Sequence, residues 1–285
     1  MSDCKPLSLI ERAFDRAAVT YDEVALMQQM VADHLFERIA CLQSFQAKTI
    51  LDLGCGTGYS SLAFAKDYPS SDLVSLDLSK NMLSVLRGKT VSSQQLRSAI
   101  QADMHGLPLM DNSVDLVFSS LAFQWSSNWD ALFAEIKRVL RPNGLLFFST
   151  FGPDALKELK STWLKLGLPS PVNDFHDMHD WGDALQRAGF SDPVMDRQYL
   201  TLRYPDLLAL LRDIRSWGAN VVINGKTQGM TSDLLKQACR LYEKDYSIDA
   251  NKIPASFEII YGHAIFLEKK RKPSEEWIEV AFPFT

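Results

Sequence analysis

An α/β fold, a doubly wound and mostly parallel sheet of Rossmann-like type, is predicted by three observations. The apolar run Thr49-Ile50-Leu51-Asp52-Leu53 leads directly into the glycine turn Gly54-Cys55-Gly56-Thr57-Gly58. A second β-type run, Asp72-Leu73-Val74-Ser75-Leu76-Asp77, ends in a carboxylate about 20 residues past those glycines, the place where a ribose diol sits in such folds. Further apolar strands then alternate with amphipathic helical segments, the pattern of βαβ units.

The glycine turn itself sets the ligand class. Glycine takes positive φ and lets a ligand lie on the main chain. The spacing G-x-G-x-G, with Asp52 two residues ahead of Gly54, differs from the dinucleotide pattern G-x-G-x-x-G, in which a helix N-terminus meets a pyrophosphate. S-adenosylmethionine has no phosphate, so its amino-acid end can lie along the turn with an acid near its ammonium. On these residues the chain resembles the class I S-adenosylmethionine-dependent methyltransferases.

Composition is that of a soluble globular chain: 285 residues, 46% hydrophobic and 23% charged. A net charge of −5 argues against general nucleic-acid binding. No apolar run approaches the roughly 18 residues that span a bilayer, and Met1 to Lys5 lack a secretory apolar core. Cys4, Cys41, Cys55 and Cys239 are scattered and read as reduced thiols, so the expected compartment is the cytoplasm.

One enlarged domain is expected over residues 1–285. A helical cap occupies 1–48, the core 49–204 and 254–268, a helical lid 205–253 and an uninformative tail 269–285. Residues 8–45 read as helical, with Tyr21 able to cover the ligand. Ser79 is a good N-cap for the helix after Asp77. Residues 99–104 form a third strand and turn, and 114–125 a fourth strand with its exit loop, whose Gln124 and Trp125 are uncharged. Residues 130–140 form a helix stopped by Arg141-Pro142-Asn143-Gly144, and 145–151 an apolar fifth strand. Helices follow at 154–166 and 176–188, a strand at 194–204, helices at 205–217 and 231–246 around the loop 219–229, and a last strand at 257–268. Asp174, His176, Asp177, His179 and Asp180 have metal-like spacing, but acids at a helix N-terminus explain them more simply, and no metal is expected.

More of the chain sharpens the resemblance. Phe14 to Ala18 with Tyr21, Leu121 to Trp125, Phe151-Gly152-Pro153, Asp177 to Asp180, Arg212 to Ala219 and Ile260 to Ala264 together resemble the malonyl-acyl-carrier-protein O-methyltransferases of biotin synthesis. Ser120 stands where that family often has Asn. The resemblance implies that Asp52, Gly54, Gly56, Gly58, Asp77, Leu78, Asp103, Met104 and Ser119 hold S-adenosylmethionine and its product S-adenosylhomocysteine. Asp77 would take the ribose, Leu78 would lie along the adenine, and Asp103 and Met104 would take its amino group and ring face. Tyr21, Gln124 and Arg212 would act on the substrate, with Arg212, ahead of Arg203 and Arg215, clamping a malonyl carboxylate. The implied partner is an acyl carrier protein bearing malonyl, or malonyl-coenzyme A, and the expected state is a monomer with no membrane. The alternatives are a methyltransferase-like assembly factor of respiratory complex I and a small-molecule methyltransferase of quinone type.

Overall fold

The computed structural model describes residues 7–42, 45–89, 96–217, 231–247 and 252–267. Its centre is a seven-stranded sheet in the order β3-β2-β1-β4-β5-β7-β6. The strands are β1 (Thr49–Leu53), β2 (Asp72–Asp77), β3 (Leu96–Gln101), β4 (Val114–Ser120), β5 (Leu140–Phe151), β6 (Ser191–Tyr204) and β7 (Ile253–Phe266). The first five pair in parallel, while β7 runs antiparallel to both β5 and β6.

Side-chain alternation divides the core between the two faces of the sheet. Ile50, Leu116, Phe118 and Phe147 meet α3 (Leu26–Ala40), α4 (Tyr59–Asp67) and α7 (Lys157–Lys165). Leu51, Leu53, Val117, Leu146 and Phe148 meet α6 (Trp129–Val139) and α8 (Met178–Ala188). On the first side, with α4, α5 (Lys80–Lys89) packs its buried Leu83 and Leu86 against Cys55 under the glycine turn and against Ala99 of β3.

Several boundaries differ from expectation for local reasons. The N-terminal helical stretch is broken into α1 (Leu7–Ala17), α2 (Tyr21–Val24) and α3, so that α1 packs on the helix after β2 while α3 packs on β4 and β5. The Arg141 to Gly144 tract does end α6, yet it is the irregular start of β5, with Leu140 already paired to Val114 and Gly144 to Phe266. Helix α8 begins at Met178 because Asp177 accepts the N–H of His179 and Asp180 accepts that of Asp177, a reciprocal cap that accounts for the acidic cluster. Among the described residues no metal-like group of His, Cys, Asp and Glu occurs, and no helix is long and apolar enough to cross a membrane. The expected loop 219–229 and tail 269–285 lie outside the described residues.

The two helices between β6 and β7, α9 (Leu207–Ser216) and α10 (Ser232–Tyr246), are built into the core. Leu207, Leu210, Ile214, Ala238 and Tyr242 are buried, and the Tyr242 hydroxyl donates to the Pro254 carbonyl at 2.7 Å. Helix α10 therefore rests on α7 and β7, and the end of α9 is what approaches the C-terminal edge of the sheet.

Gly262 of β7 lies opposite Phe148 of the neighbouring antiparallel strand β5. A Cβ there would come within 2.4 Å of the Phe148 ring, which is itself buried against Trp181. Gly262→Ala is accordingly expected to destabilise the fold by about 1–3 kcal/mol through overpacking alone, seen as a lower urea midpoint with an unchanged slope. An unaltered midpoint would show that the sheet yields at this pair.

Candidate active site

At the C-terminal edge of the parallel strands the glycine turn closes on itself. Gly54 has φ 78° and sits so close to the β4 exit that a Cβ would lie 2.4 Å from that of Ala122. Gly58 has φ 88° and would drive a Cβ to 2.1 Å from Leu86 Cδ1. Both requirements, a left-handed backbone and no side chain, are met by glycine alone. The Gly56 N–H donates to Asp77 Oδ2 and the Ser79 N–H to Asp77 Oδ1, each at 2.8 Å. The Asp77 carboxylate thus ties the turn after β1 to the start of α5, where Ser79 accepts the Met82 N–H as the expected cap. Burial pushes the Asp77 carboxyl above the ordinary carboxylate range, opposed by these backbone donors.

The chamber above this turn is floored by Leu53, Gly54 and Gly56 and walled by Asp77, Leu78, Asp103, Met104, Ser120 and Ala122. Leu7, Ile10, Phe14 and Tyr21 of the N-terminal helices roof it. Carboxylates hold that roof in place. Asp15 accepts the Ser79 hydroxyl at 2.6 Å, Asp22 accepts the Thr57 hydroxyl at 2.6 Å and pairs with Lys89 at 2.6 Å, and Asp33 accepts the Tyr59 hydroxyl at 2.7 Å. Burial first, then Asp77 and Asp22, raises the Tyr21 phenol far above its usual range, so Tyr21 stays protonated.

A second, largely apolar chamber adjoins the first at Trp125, which lines both. Phe151, Leu156, Val172, Phe175 and Phe257 form its walls, Ile214 and Trp217 from α9 cover it, and Gln124 and Asn173 supply amides. Trp125 packs edge-on to Phe14 at 5.4 Å, and Trp217 Nε1 donates to the Val24 carbonyl at 2.9 Å. The roof and α9 are thereby joined across the seam. Leu121, at the same seam, is held at φ 50° with its N–H donating to the Ser149 carbonyl at 3.0 Å, a strained conformation of a kind that gathers at functional sites.

Not every expected residue faces a chamber. Gly54, Gly56, Asp77, Leu78, Asp103 and Met104 line the first with Tyr21, and Gln124 lines the second. Asp52 lines neither: it is 1% exposed and accepts the Ser61 hydroxyl at 2.6 Å, so any effect on a bound cation is by field and not by contact. Ser119 is also buried, donating to the Leu53 carbonyl at 2.7 Å, and Ser120 takes the place beside the ligand space. Gly58 serves the turn without reaching the chamber. Arg212 is exposed, with Nε 3.4 Å from the Leu208 carbonyl of its own helix. Leu207, Leu210 and Ile214 take the inward face of α9, which leaves Arg212 and Arg215 pointing outward. Residues not anticipated are His105, Ile214, Trp217 and Phe257. The 207, 210, 214 spacing could have revealed the inward face of α9; no sequence signal marked His105.

Comparison with known proteins gives the same outline. A family model described as a methyltransferase domain matches residues 51–148. A malonyl-acyl-carrier-protein O-methyltransferase of Methylovorus sp. strain MP688 is 41% identical over 264 residues, 90% of this chain and 87% of the relative. One from Laribacter hongkongensis is 40% identical, covering 90% and 88% respectively. The YcgJ protein of Bacillus subtilis superposes with a TM-score of 0.59 at 18% identity, covering 83% of this chain and 99% of its own. Phosphoethanolamine N-methyltransferase 2 of Haemonchus contortus, solved with S-adenosylhomocysteine, gives 0.56 at 16% identity over 89% of this chain and 58% of its own. These two structures match in fold.

Burial is the main cause that raises the Asp52 carboxyl to about 7, against an ordinary value of 3.8. Below about pH 4 both the folded and unfolded chains hold this proton. As pH rises towards 7 only the unfolded chain ionises freely, so the fold loses stability through that window, by a few kcal/mol in all. Asp52→Asn is expected to remove the loss: relative to the parent it gains stability in urea unfolding at pH 8 compared with pH 4.5. An equal difference at both pH values would mean that Asp52 titrates as an ordinary carboxyl.

Proposed function

The chain belongs to the malonyl-acyl-carrier-protein O-methyltransferase family, and on that premise we propose that it moves the methyl group of S-adenosylmethionine to the free carboxylate of a malonyl thioester. The product is the methyl ester that begins pimeloyl and biotin synthesis. The observation that carries this reading is the pair of chambers meeting at Trp125, one built on the glycine turn and Asp77, the other apolar and shaped by α9.

S-adenosylmethionine supplies an electrophilic methyl on a sulfonium. The first chamber suits it: Asp77 retains free lone pairs for the ribose hydroxyls while holding Gly56 and Ser79, and Asp103 keeps one oxygen for the adenine amino group. Leu78 and Met104 supply apolar walls to the base, and Tyr21 closes the roof as a neutral phenol. The acyl thioester enters the second chamber, with Gln124 and Trp125 at the seam. Gln124 is preset there, donating through Nε2 to the Leu121 carbonyl at 2.6 Å.

A malonyl carboxylate is ionised well below neutral pH and needs no base to attack a sulfonium methyl. Rate then comes from aligning oxygen, carbon and sulfur in a space closed to water. A phenol or enol acceptor would want a base at the seam. Among the described residues lining the two chambers the one imidazole is His105, and both its nitrogens are engaged by Asp103 and Ser126. This favours the carboxylate over a quinone-type acceptor. The handle of the thioester is an acyl carrier protein, met by the outward face of α9, where Arg212 and Arg215 offer charge to an acidic partner. The substrate's free carboxylate is then selected at the seam by neutral donors.

Incubating the protein with labelled S-adenosylmethionine and malonyl thioesters is expected to give a methyl ester by mass spectrometry, with acetyl thioesters inert. Labelled product from neither carrier-protein nor coenzyme A thioester would sink the reading. Arg212→Ala and Arg215→Ala together are expected to raise KM for the carrier-protein substrate several-fold and leave malonyl-coenzyme A methylation unchanged. A fall with both substrates would return these arginines to the acyl site.

We also take α9 as the movable wall. Its C-terminal half is expected to gain hydrogen-exchange protection when cofactor and thioester are both present, while α10 and residues 145–151 stay protected throughout. Unchanged exchange in α9 would mean a rigid wall.

A further inference from the structure

His105 makes a connection that the reaction as derived does not use. It stands two residues past Asp103, in the turn after β3, with its side chain 18% exposed. Asp103 Oδ1 accepts both the His105 N–H at 3.0 Å and the ring Nδ1 at 2.7 Å. The other ring nitrogen, Nε2, lies 2.8 Å from Ser126 Oγ on the exit loop of β4. With Nδ1 as the donor to Asp103, Nε2 is left to accept the Ser126 hydroxyl, and Ser126 Oγ in turn accepts the Asn128 N–H at 3.3 Å. Asn128 caps α6 by accepting the Ala131 N–H at 3.1 Å. A continuous chain of hydrogen bonds thus leads from a wall of the cofactor chamber to the start of α6.

Ser126 follows Trp125, the ring shared by both chambers, and its N–H closes the turn by donating to the Phe123 carbonyl at 3.0 Å. We propose that His105 is a positioning residue that couples the Asp103 carboxylate to the Trp125 turn, so that cofactor bound at Asp103 stiffens the partition against which the acyl carboxylate is aligned. This rests on the methyl-transfer reading above. With Oδ1 taken up by His105, Oδ2 is the oxygen turned to the ligand, and the plane of the carboxylate is set. Through Ser126 the same imidazole fixes the turn that carries Gln124 and Trp125. The hydroxyl–imidazole–carboxylate order is that of a hydrolytic triad, but Ser126 is only 9% exposed and lines neither chamber, so the hydroxyl serves as a joint and not as a nucleophile.

The two halves of the link can be cut separately in the full-length protein. In His105→Asn the amide nitrogen replaces Nδ1, keeping Asp103 and losing Ser126. In His105→Gln it replaces Nε2, keeping Ser126 and losing Asp103. Asparagine is expected to leave S-adenosylmethionine affinity by calorimetry within twofold and lower kcat for malonyl methylation roughly fivefold, the worth of one hydrogen bond. Glutamine is expected to raise the S-adenosylmethionine Kd roughly fivefold. Ser126→Ala should lower kcat at least as much as asparagine does, and in the His105→Asn background it should cost less than in the parent, because the imidazole link is already cut and only the Asn128 contact is left for it to remove. The proposal is overturned if the Ser126→Ala loss is the same in both backgrounds, or if asparagine and glutamine give the same split between affinity and kcat. Failure of the parent protein to methylate malonyl thioesters would instead refute the substrate reading, and methylation with labelled S-adenosylmethionine is therefore measured on the parent first.

Discussion

The Asp77 carboxylate is the joint on which the cofactor end of the sheet depends. It is the last residue of β2, and it takes one N–H from the turn after β1 and another from the start of α5. Without an acceptor there, the Gly56 and Ser79 N–H groups would be left unpaired beside a closed space, a cost of about 1–3 kcal/mol for each. The roof uses the same neighbourhood. Asp15 reaches Ser79 and Asn81, and Asp22 reaches Thr57 and Lys89, so the N-terminal helices attach to the elements that Asp77 has already joined. A single carboxylate, itself disfavoured by burial, therefore sets the floor and indirectly the ceiling of the chamber.

What the sequence made legible was whatever depends on residues adjacent in the chain. The strand–glycine–helix unit, the acid ending β2, the Ser79 cap and the presence of two closing strands all follow from local pattern, and all appear in the fold; the antiparallel direction of β7 does not follow from it. Long-range pairing was not legible. Asp52 resembled a ligand-facing acid by its place before Gly54. In the fold its partner is Ser61, which also meets Ser75 at 2.7 Å, a junction of three elements that no local spacing announces. Ser119 and Ser120 show the same limit at finer scale. The pleat turns one to the Leu53 carbonyl and the next to the chamber, and only the register of β4 on β1 decides which.

Arg212 is a different case, because its outward orientation on α9 follows from the sequence itself. Leu207, Leu210, Ile214 and Trp217 recur at helical spacing, and that inward face excludes positions 212 and 215. Chemical need, a cation for a carboxylate, points inward, and helical phase points outward. Phase wins because burying the α9 stripe removes four large side chains from water, at roughly 1.5–3 kcal/mol each, while an exposed arginine has no comparable stake in facing either way.

The geometry that remains at the seam suits a reaction limited by alignment. A carboxylate pinned by a guanidinium would be a weaker nucleophile, because the charge that attacks is the charge the clamp neutralises. Neutral donors such as the Gln124 and Asn173 amides and the protonated Tyr21 phenol can orient an oxygen while leaving its negative charge largely intact. A bound sulfonium would provide the attraction that a clamp would otherwise supply. The site can therefore do without a cation of its own, provided that the Trp125 partition is held still between the two chambers. In this chain the groups that hold it are Phe14 from the roof and His105 through Ser126.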